Sequence, residues 1–219
     1  MDAYDAPSLI LTQAPALPPL LDSWEAAMAP ALDEARRAAA FGDVPVGAAV
    51  YSAEGVLLAR AGNSPLRLGD PTAHAEISAL RRAAEVVGNY RLSGCILACT
   101  LEPCLMCVGA MVHARVGLCV FGAADPKTGA AVSRLAGVDL PFLNHRMKVF
   151  GGVRGEECGE LLRRFFQARR ERPMSAENGG MACDAGGGAE TDGPVRPDGG
   201  LRPDGSGGAV RETGQESLA

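Results

Sequence analysis

A chain of 219 residues that is 47% hydrophobic and 5% aromatic, with a net charge of -5, 28 glycines and 15 prolines, is long enough for one domain and a surplus. It contains no run of the roughly 18 apolar residues a membrane-spanning helix needs; the apolar stretch from Leu9 to Leu21 is broken by Pro15, Pro18 and Pro19 and lacks the basic flank of a secretory signal. Seven cysteines, an odd number, do not form a disulfide framework, so a reducing, cytoplasmic setting is expected and no membrane partner.

Residues 1–23 read as a flexible N-terminal arm. Ala31, Leu32, Ala35, Ala38 and Ala39 form an apolar stripe of helical period, with Pro30 tolerable in its first turn. Val44 to Tyr51 and Val56 to Ala61 are apolar runs joined by a short link bearing Gly55, the pattern of an antiparallel hairpin. A second helix is predicted over Ala73 to Val87, a buried strand over Cys95 to Thr100, a third helix over Cys104 to Ala114, and a strand over Val116 to Phe121. Gly122 to Arg146 is too long for a plain turn and is expected to hold some helix. A weak strand at Met147 to Phe150 and a terminal helix over Glu156 to Arg170 complete the domain, residues 24–172. This order predicts an α/β fold, a three-layer α/β/α sandwich with a five-stranded mixed sheet and helices on both faces.

From Pro173 the composition changes: twelve of the glycines and four of the prolines lie in residues 173–219, with R-P-D-G repeated at Arg196 and Arg202. Such a segment buries too little apolar surface to offset chain entropy and reads as a disordered, acidic tail. The charge is unevenly shared, for the tail carries -5 and the arm -3, leaving the domain at +3. The overall acidity therefore does not exclude nucleic acid.

His74-Ala75-Glu76 opens the second predicted helix and Pro103-Cys104-Leu105-Met106-Cys107 the third. Two thiolates and an imidazole suit Zn²⁺, and Cys104 and Cys107 share one helix face. Three protein ligands leave a fourth position for water, the mark of a catalytic site. His74 and Glu76 stand about 200° apart around a helix, so both reach one ion only if it lies beyond the helix N-terminus. Unpaired amides and the helix dipole favour thiolates there, and zinc brings the pKa of water towards about 7, within reach of Glu76 as proton acceptor. Two other readings stand beside this one: a redox C-x-x-C pair, and a closed structural site with Cys99 or Cys95 as fourth ligand.

The H-A-E and P-C-x-x-C motifs resemble the zinc deaminase signature. The likeness extends to Val44-Pro45-Val46-Gly47-Ala48, Asn63, Asp70 to Ile77, Asn89-Tyr90-Arg91-Leu92, Thr100 to Cys104, Gly109-Ala110-Met111, Lys127-Thr128-Gly129-Ala130 and Asn144-His145-Arg146. Over residues 28–172 the chain looks like the tRNA-specific adenosine deaminases. That resemblance implies a cytidine-deaminase-like fold, one Zn²⁺ per chain on His74, Cys104 and Cys107, and a homodimer. It also implies conversion of adenosine to inosine at the wobble position of a tRNA anticodon stem-loop, of an arginine tRNA. Glu76 would deprotonate the water and protonate the ring nitrogen and departing ammonia, and Asn63 would bind the flipped purine.

Val46 and Leu101 are candidates to wall the base, with ordinary core packing as the other reading. In the terminal helix Arg163, Arg164, Arg169, Arg170 and Arg172 interleave with Phe165 and Phe166, matching the family's F-F-x-x-R-R ending. These residues suit phosphate pairing and base stacking; the plainer reading is a solvated basic helix face over two core phenylalanines. His113 is read as packing or meeting RNA, and His145 as ordering its loop or meeting RNA. Gly62 stands where a Trp commonly precedes the Asn, Ala124 where a basic residue is common, and both arms are longer than usual. A deaminase of free guanine or cytosine and a non-catalytic zinc-containing RNA-binding subunit are the rival functions. The N-H-R and K-T-G-A blocks with the basic helix speak against the first, Glu76 against the second.

Overall fold

Ser23 begins the long first helix by accepting a hydrogen bond from the Ala26 amide at 3.0 Å. The computed structural model describes residues 8–171; expectations for Arg172 and the 173–219 tail lie outside them. In chain order its elements are β1 (Ile10–Leu11), α1 (Trp24–Ala40), β2 (Gly47–Tyr51), β3 (Leu57–Gly62), α2 (Pro65–Leu68), α3 (Ala75–Val87), β4 (Ile96–Leu101), α4 (Leu105–His113), β5 (Leu118–Ala123), a 3-10 turn (Gly137–Asp139), β6 (Lys148–Gly151) and α5 (Gly155–Glu171). The helix expected between Gly122 and Arg146 is only that 3-10 turn. α1 begins well before the stripe that announced it, so Pro30 lies in the helix interior rather than its first turn. Trp24, Ala27 and Met28 extend the buried face and hold the helix through the proline.

The strands form one sheet in the order β1-β6-β5-β4-β2-β3, antiparallel where β2 meets β3 and β4 and parallel elsewhere. Alternation along the strands splits the core in two. Ala48 and Val50, Leu97 and Cys99, and Cys119 and Phe121 belong to one cluster with α3 and α4; Ala49 and Tyr51, Ile96 and Ala98, and Val120 belong to the other with α1 and α5. Strands buried on both faces read as continuous apolar runs, which is why their periodicity is muted in the sequence. The result is the expected three-layer α/β/α sandwich. Tyr51 ties α1 to the sheet by donating its hydroxyl to the Ala27 carbonyl at 2.8 Å, and burial pushes its phenol up to about 12.

The mixed sheet has six strands, not five. β1 is two residues long, too short to show a period, and pairs in parallel with β6. It is anchored from outside the sheet: Asp139 accepts from the Leu9 amide at 2.8 Å and the Ser8 hydroxyl at 2.7 Å. Residues 8–23, expected as part of a flexible arm, thus lie against the domain. The Leu20 amide bonds the Glu54 carbonyl at 2.8 Å and the Trp24 indole N–H donates to the Pro15 carbonyl at 3.0 Å.

Two glycines let α1 sit close on the hairpin. A Cβ at Gly47 would lie 1.9 Å from the Ala31 carbonyl oxygen, and one at Gly62 would lie 2.6 Å from that of Glu34. This close approach accounts for glycine at position 62, where a larger residue would meet the helix backbone. α2 is held in turn by Asp43, fully buried, whose carboxylate accepts from the Leu66 amide at 2.8 Å.

Candidate active site

α3 and α4 begin side by side at the ends of β3 and β4, and their N-caps are His74 and Cys104. Neither side chain caps the backbone of its own helix, so both are available to each other. His74 Nδ1 lies 3.7 Å from Cys104 Sγ and 3.7 Å from Cys107 Sγ, and the two sulfurs are 3.7 Å apart. Tetrahedral Zn²⁺ with bonds of about 2.3 Å to sulfur and 2.0–2.1 Å to nitrogen needs donor separations of about 3.6–3.8 Å. The triangle is one face of that tetrahedron.

The protonation pattern fits the same role. Cys104 is drawn down to about 4, first by its contact with Cys107 and then by His74, whereas Cys107 is pushed up by the contact with Cys104 and by burial. His74 is raised, chiefly by Cys104. The three groups share protons that a dication replaces. Among the described residues the metal-binding group is His74, Cys104 and Cys107, without Cys95 or Cys99, so the closed structural alternative lacks its fourth ligand. Zinc held here supplies Lewis-acid activation of water at neutral pH.

Glu76, in the first turn of α3, is buried, and its Oε2 is one of two buried side-chain atoms without a hydrogen-bond partner among the described residues. Burial pushes its carboxyl above the usual range, with its own backbone N–H and His74 pulling back. A buried carboxylate oxygen without a partner is costly unless a ligand supplies a proton, and Glu76 Oε2 is such an oxygen. Asn63, also buried, uses Oδ1 to accept from the Ala75 amide at 3.0 Å, between His74 and Glu76. That bond fixes the side chain against the backbone between His74 and Glu76, with its amide NH₂ as the remaining donor. The Asn63 amide is held by the Val46 carbonyl at 2.9 Å. Val46 is buried and Leu101 half-buried in the core shared with α3 and α4.

The structure does not bring the terminal helix to this centre within one chain. α5 packs on the opposite face of the sheet, with α1. Phe165 is half-buried and Phe166 44% exposed, so neither is a core residue; their rings meet edge to face at 5.4 Å, and Arg169 lies 5.6 Å over Phe165. Arg163 and Arg164 are engaged by Glu160 at 2.9 and 2.6 Å, whereas Arg170 is exposed. His145 orders its loop, its Nε2 2.7 Å from the Val116 carbonyl oxygen, and His113 lines an apolar groove between α3 and α4.

One residue in the T-L-E-P-C block has a role that its motif did not announce. Glu102 is 2% exposed and accepts from the amides of Asp125 at 3.0 Å, Val132 at 2.8 Å and Ser133 at 2.7 Å, and from the Ser133 hydroxyl. The whole segment 125–133, with its K-T-G-A block, hangs on this carboxylate two residues before Cys104. Its signal was a charge between an apolar strand and a proline.

Residues 22–123 match the cytidine and deoxycytidylate deaminase zinc-binding region. The tRNA-specific adenosine deaminase of Haemophilus influenzae is 47% identical over 141 residues, covering 64% of this chain and 82% of that protein. The chain belongs to the tRNA-specific adenosine deaminase family. Membership makes it a zinc-dependent hydrolytic deaminase with the cytidine-deaminase-like fold. A solved structure from work on A-to-I editing by tRNA:A34 deaminases at the wobble position superposes with a TM-score of 0.60 at 42% identity, covering 62% of this chain and 98% of that one. The guanine deaminase of Nitrosomonas europaea is similar at a TM-score of 0.54 and 26% identity, covering 68% and 87%.

Proposed function

We propose that this chain hydrolyses adenosine to inosine at the wobble position of a tRNA anticodon stem-loop, with an arginine tRNA as substrate. What carries the reading is the partnerless carboxylate oxygen Oε2 of Glu76 beside a three-donor zinc triangle, in a chain 47% identical to a tRNA-specific adenosine deaminase. In the reaction the C6–N bond breaks and a C6–O bond forms. Glu76 takes a proton from water, gives one to the ring nitrogen, and passes one to the departing amine as ammonia leaves. Asn63 orients the purine through its amide, Val46 and Leu101 wall it, and Phe165, Phe166, Arg169 and Arg170 meet the RNA. An anticodon loop offers its bases already unpaired, so extruding one costs little.

The working unit is a cytoplasmic homodimer. Its contact is the apolar groove of about 450 Å³ lined by Ile77, Leu80, Ala84, Tyr90, Met106 and Ala110, beside which Leu105 is 61% exposed. Among the described residues no helix is long and apolar enough to cross a membrane. The structural likeness to a guanine deaminase keeps a free-base substrate as the second reading. Incubation of the zinc-loaded protein with tRNA, and separately with guanine, cytosine and adenosine, decides between them. Inosine in the tRNA is expected; ammonia from a free base without inosine in tRNA overturns the proposal.

A further inference from the structure

Asn63 also lines a second pocket, of about 410 Å³, whose wall includes none of the zinc donors and not Glu76. Its wall carries Arg37 from α1, Arg60 from β3, Arg67 from α2 and Arg82 from α3. Four guanidiniums face one carboxylate, Glu34, whose Oε1 holds both Arg37 at 2.9 Å and Arg60 at 3.2 Å. The other two are fixed separately. Arg82 donates to the Arg60 carbonyl at 2.6 Å, and Arg67 stacks 4.8 Å over the ring of Phe41. Glu34 itself is 9% exposed and neutralises one of the four charges. Each guanidinium has five N–H donors and spends at most a few of them on these contacts. Gly62 also lines the pocket, where α1 packs closely on the strand.

We infer that this pocket is a phosphate subsite, taking the RNA backbone phosphate next to the flipped adenosine. The inference rests on the proposed tRNA substrate. Oriented guanidiniums in excess over carboxylate match a phosphate's paired oxygens, and the shared wall at Asn63 puts them beside the bound nucleoside, where its own backbone continues. A volume of about 410 Å³ admits a phosphate together with part of a ribose. The subsite sets how the nucleotide enters rather than how the bond is cleaved.

The test uses the full zinc-loaded chain and an anticodon stem-loop RNA, with Arg67→Ala, Arg82→Ala, the double variant, and Arg36→Ala as a surface control. Arg37 and Arg60 are left in place because removing either would strip Glu34. Without the charge-assisted bonds to one phosphate, KM rises about tenfold or more in the double variant, with kcat within about twofold. The slope of log KM against log salt falls by about 0.7, the value for one single-strand phosphate that is no longer neutralised. A methylphosphonate at the flanking position weakens binding to the original chain but not further to the double variant. KM and salt slope equal to those of Arg36→Ala overturn the subsite, as do equal methylphosphonate losses in both proteins. Inorganic phosphate bound at the pocket with KM for the stem-loop unmoved by the substitutions overturns it too, in favour of a free anion. If the unsubstituted chain forms no inosine in the stem-loop, the substrate reading falls and the subsite with it; an active chain with silent variants overturns the subsite alone.

Discussion

The metal centre and the arginine pocket share a wall at Asn63 yet are built in opposite ways. The metal centre takes its donors from two short motifs, each at the start of a helix, where geometry over three residues is set by the helix itself. The pocket takes one arginine from each of four elements and is held by Glu34 and Phe41, with its arginines largely exposed. Groups that make or break bonds are buried and few; groups that grip a polyanion are exposed and many, and each contributes little. The terminal helix, with Arg170 exposed and Arg169 over Phe165, is proposed to be of the second kind.

The most severe break falls on the metal centre. Cys104→Ser or His74→Ala is expected to lose zinc and all measurable turnover, checked by metal analysis beside inosine formation, since each removes one of three protein donors. Next, Glu76→Gln should keep one zinc per chain and the fold while kcat falls about 10²–10⁴-fold. Near-normal turnover in that variant would remove the proton-transfer role.

Glu102→Gln comes third. An amide NH₂ cannot accept from the donors that meet the carboxylate, so urea unfolding should show a loss of about 1–3 kcal/mol, and proteolysis should find the 125–133 segment first. In α5, Arg169→Ala with Arg170→Ala should raise KM for the stem-loop only a few-fold and leave kcat alone, because exposed charges act singly and are screened. Deleting residues 173–219 is expected to change neither stability nor turnover by as much as twofold, by their composition. A large effect from either of these last changes would erase the contrast between a buried chemical centre and a dispersed binding surface.

The same contrast governs what is legible in the chain. Helix periodicity located α1, α3, α4 and α5, and paired apolar runs located β2 to β6, because each pattern is local in the chain. β1 escaped because two residues carry no period and are held by Asp139, far along the chain. Pro30 misled for a related reason: its place in the first turn assumed that the helix began where the alanine stripe did, whereas Trp24 and Met28 are secured by the core. Gly62 stood as a departure from the family pattern, and only the packed structure shows α1 pressed against it.

By itself, then, the sequence determined the fold class and the zinc donors, since motifs of a few residues at a helix start are fixed by short-range geometry. Tertiary structure alone decided which charges scattered along the chain are gathered. Arg163 and Arg164, conspicuous in the sequence, are bound by Glu160 on their own helix. Arg37, Arg60, Arg67 and Arg82, inconspicuous and scattered, stand around one pocket because α1, α2 and α3 pack about the end of a hairpin strand. Proximity in space between segments distant in the chain depends on the whole core closing at once.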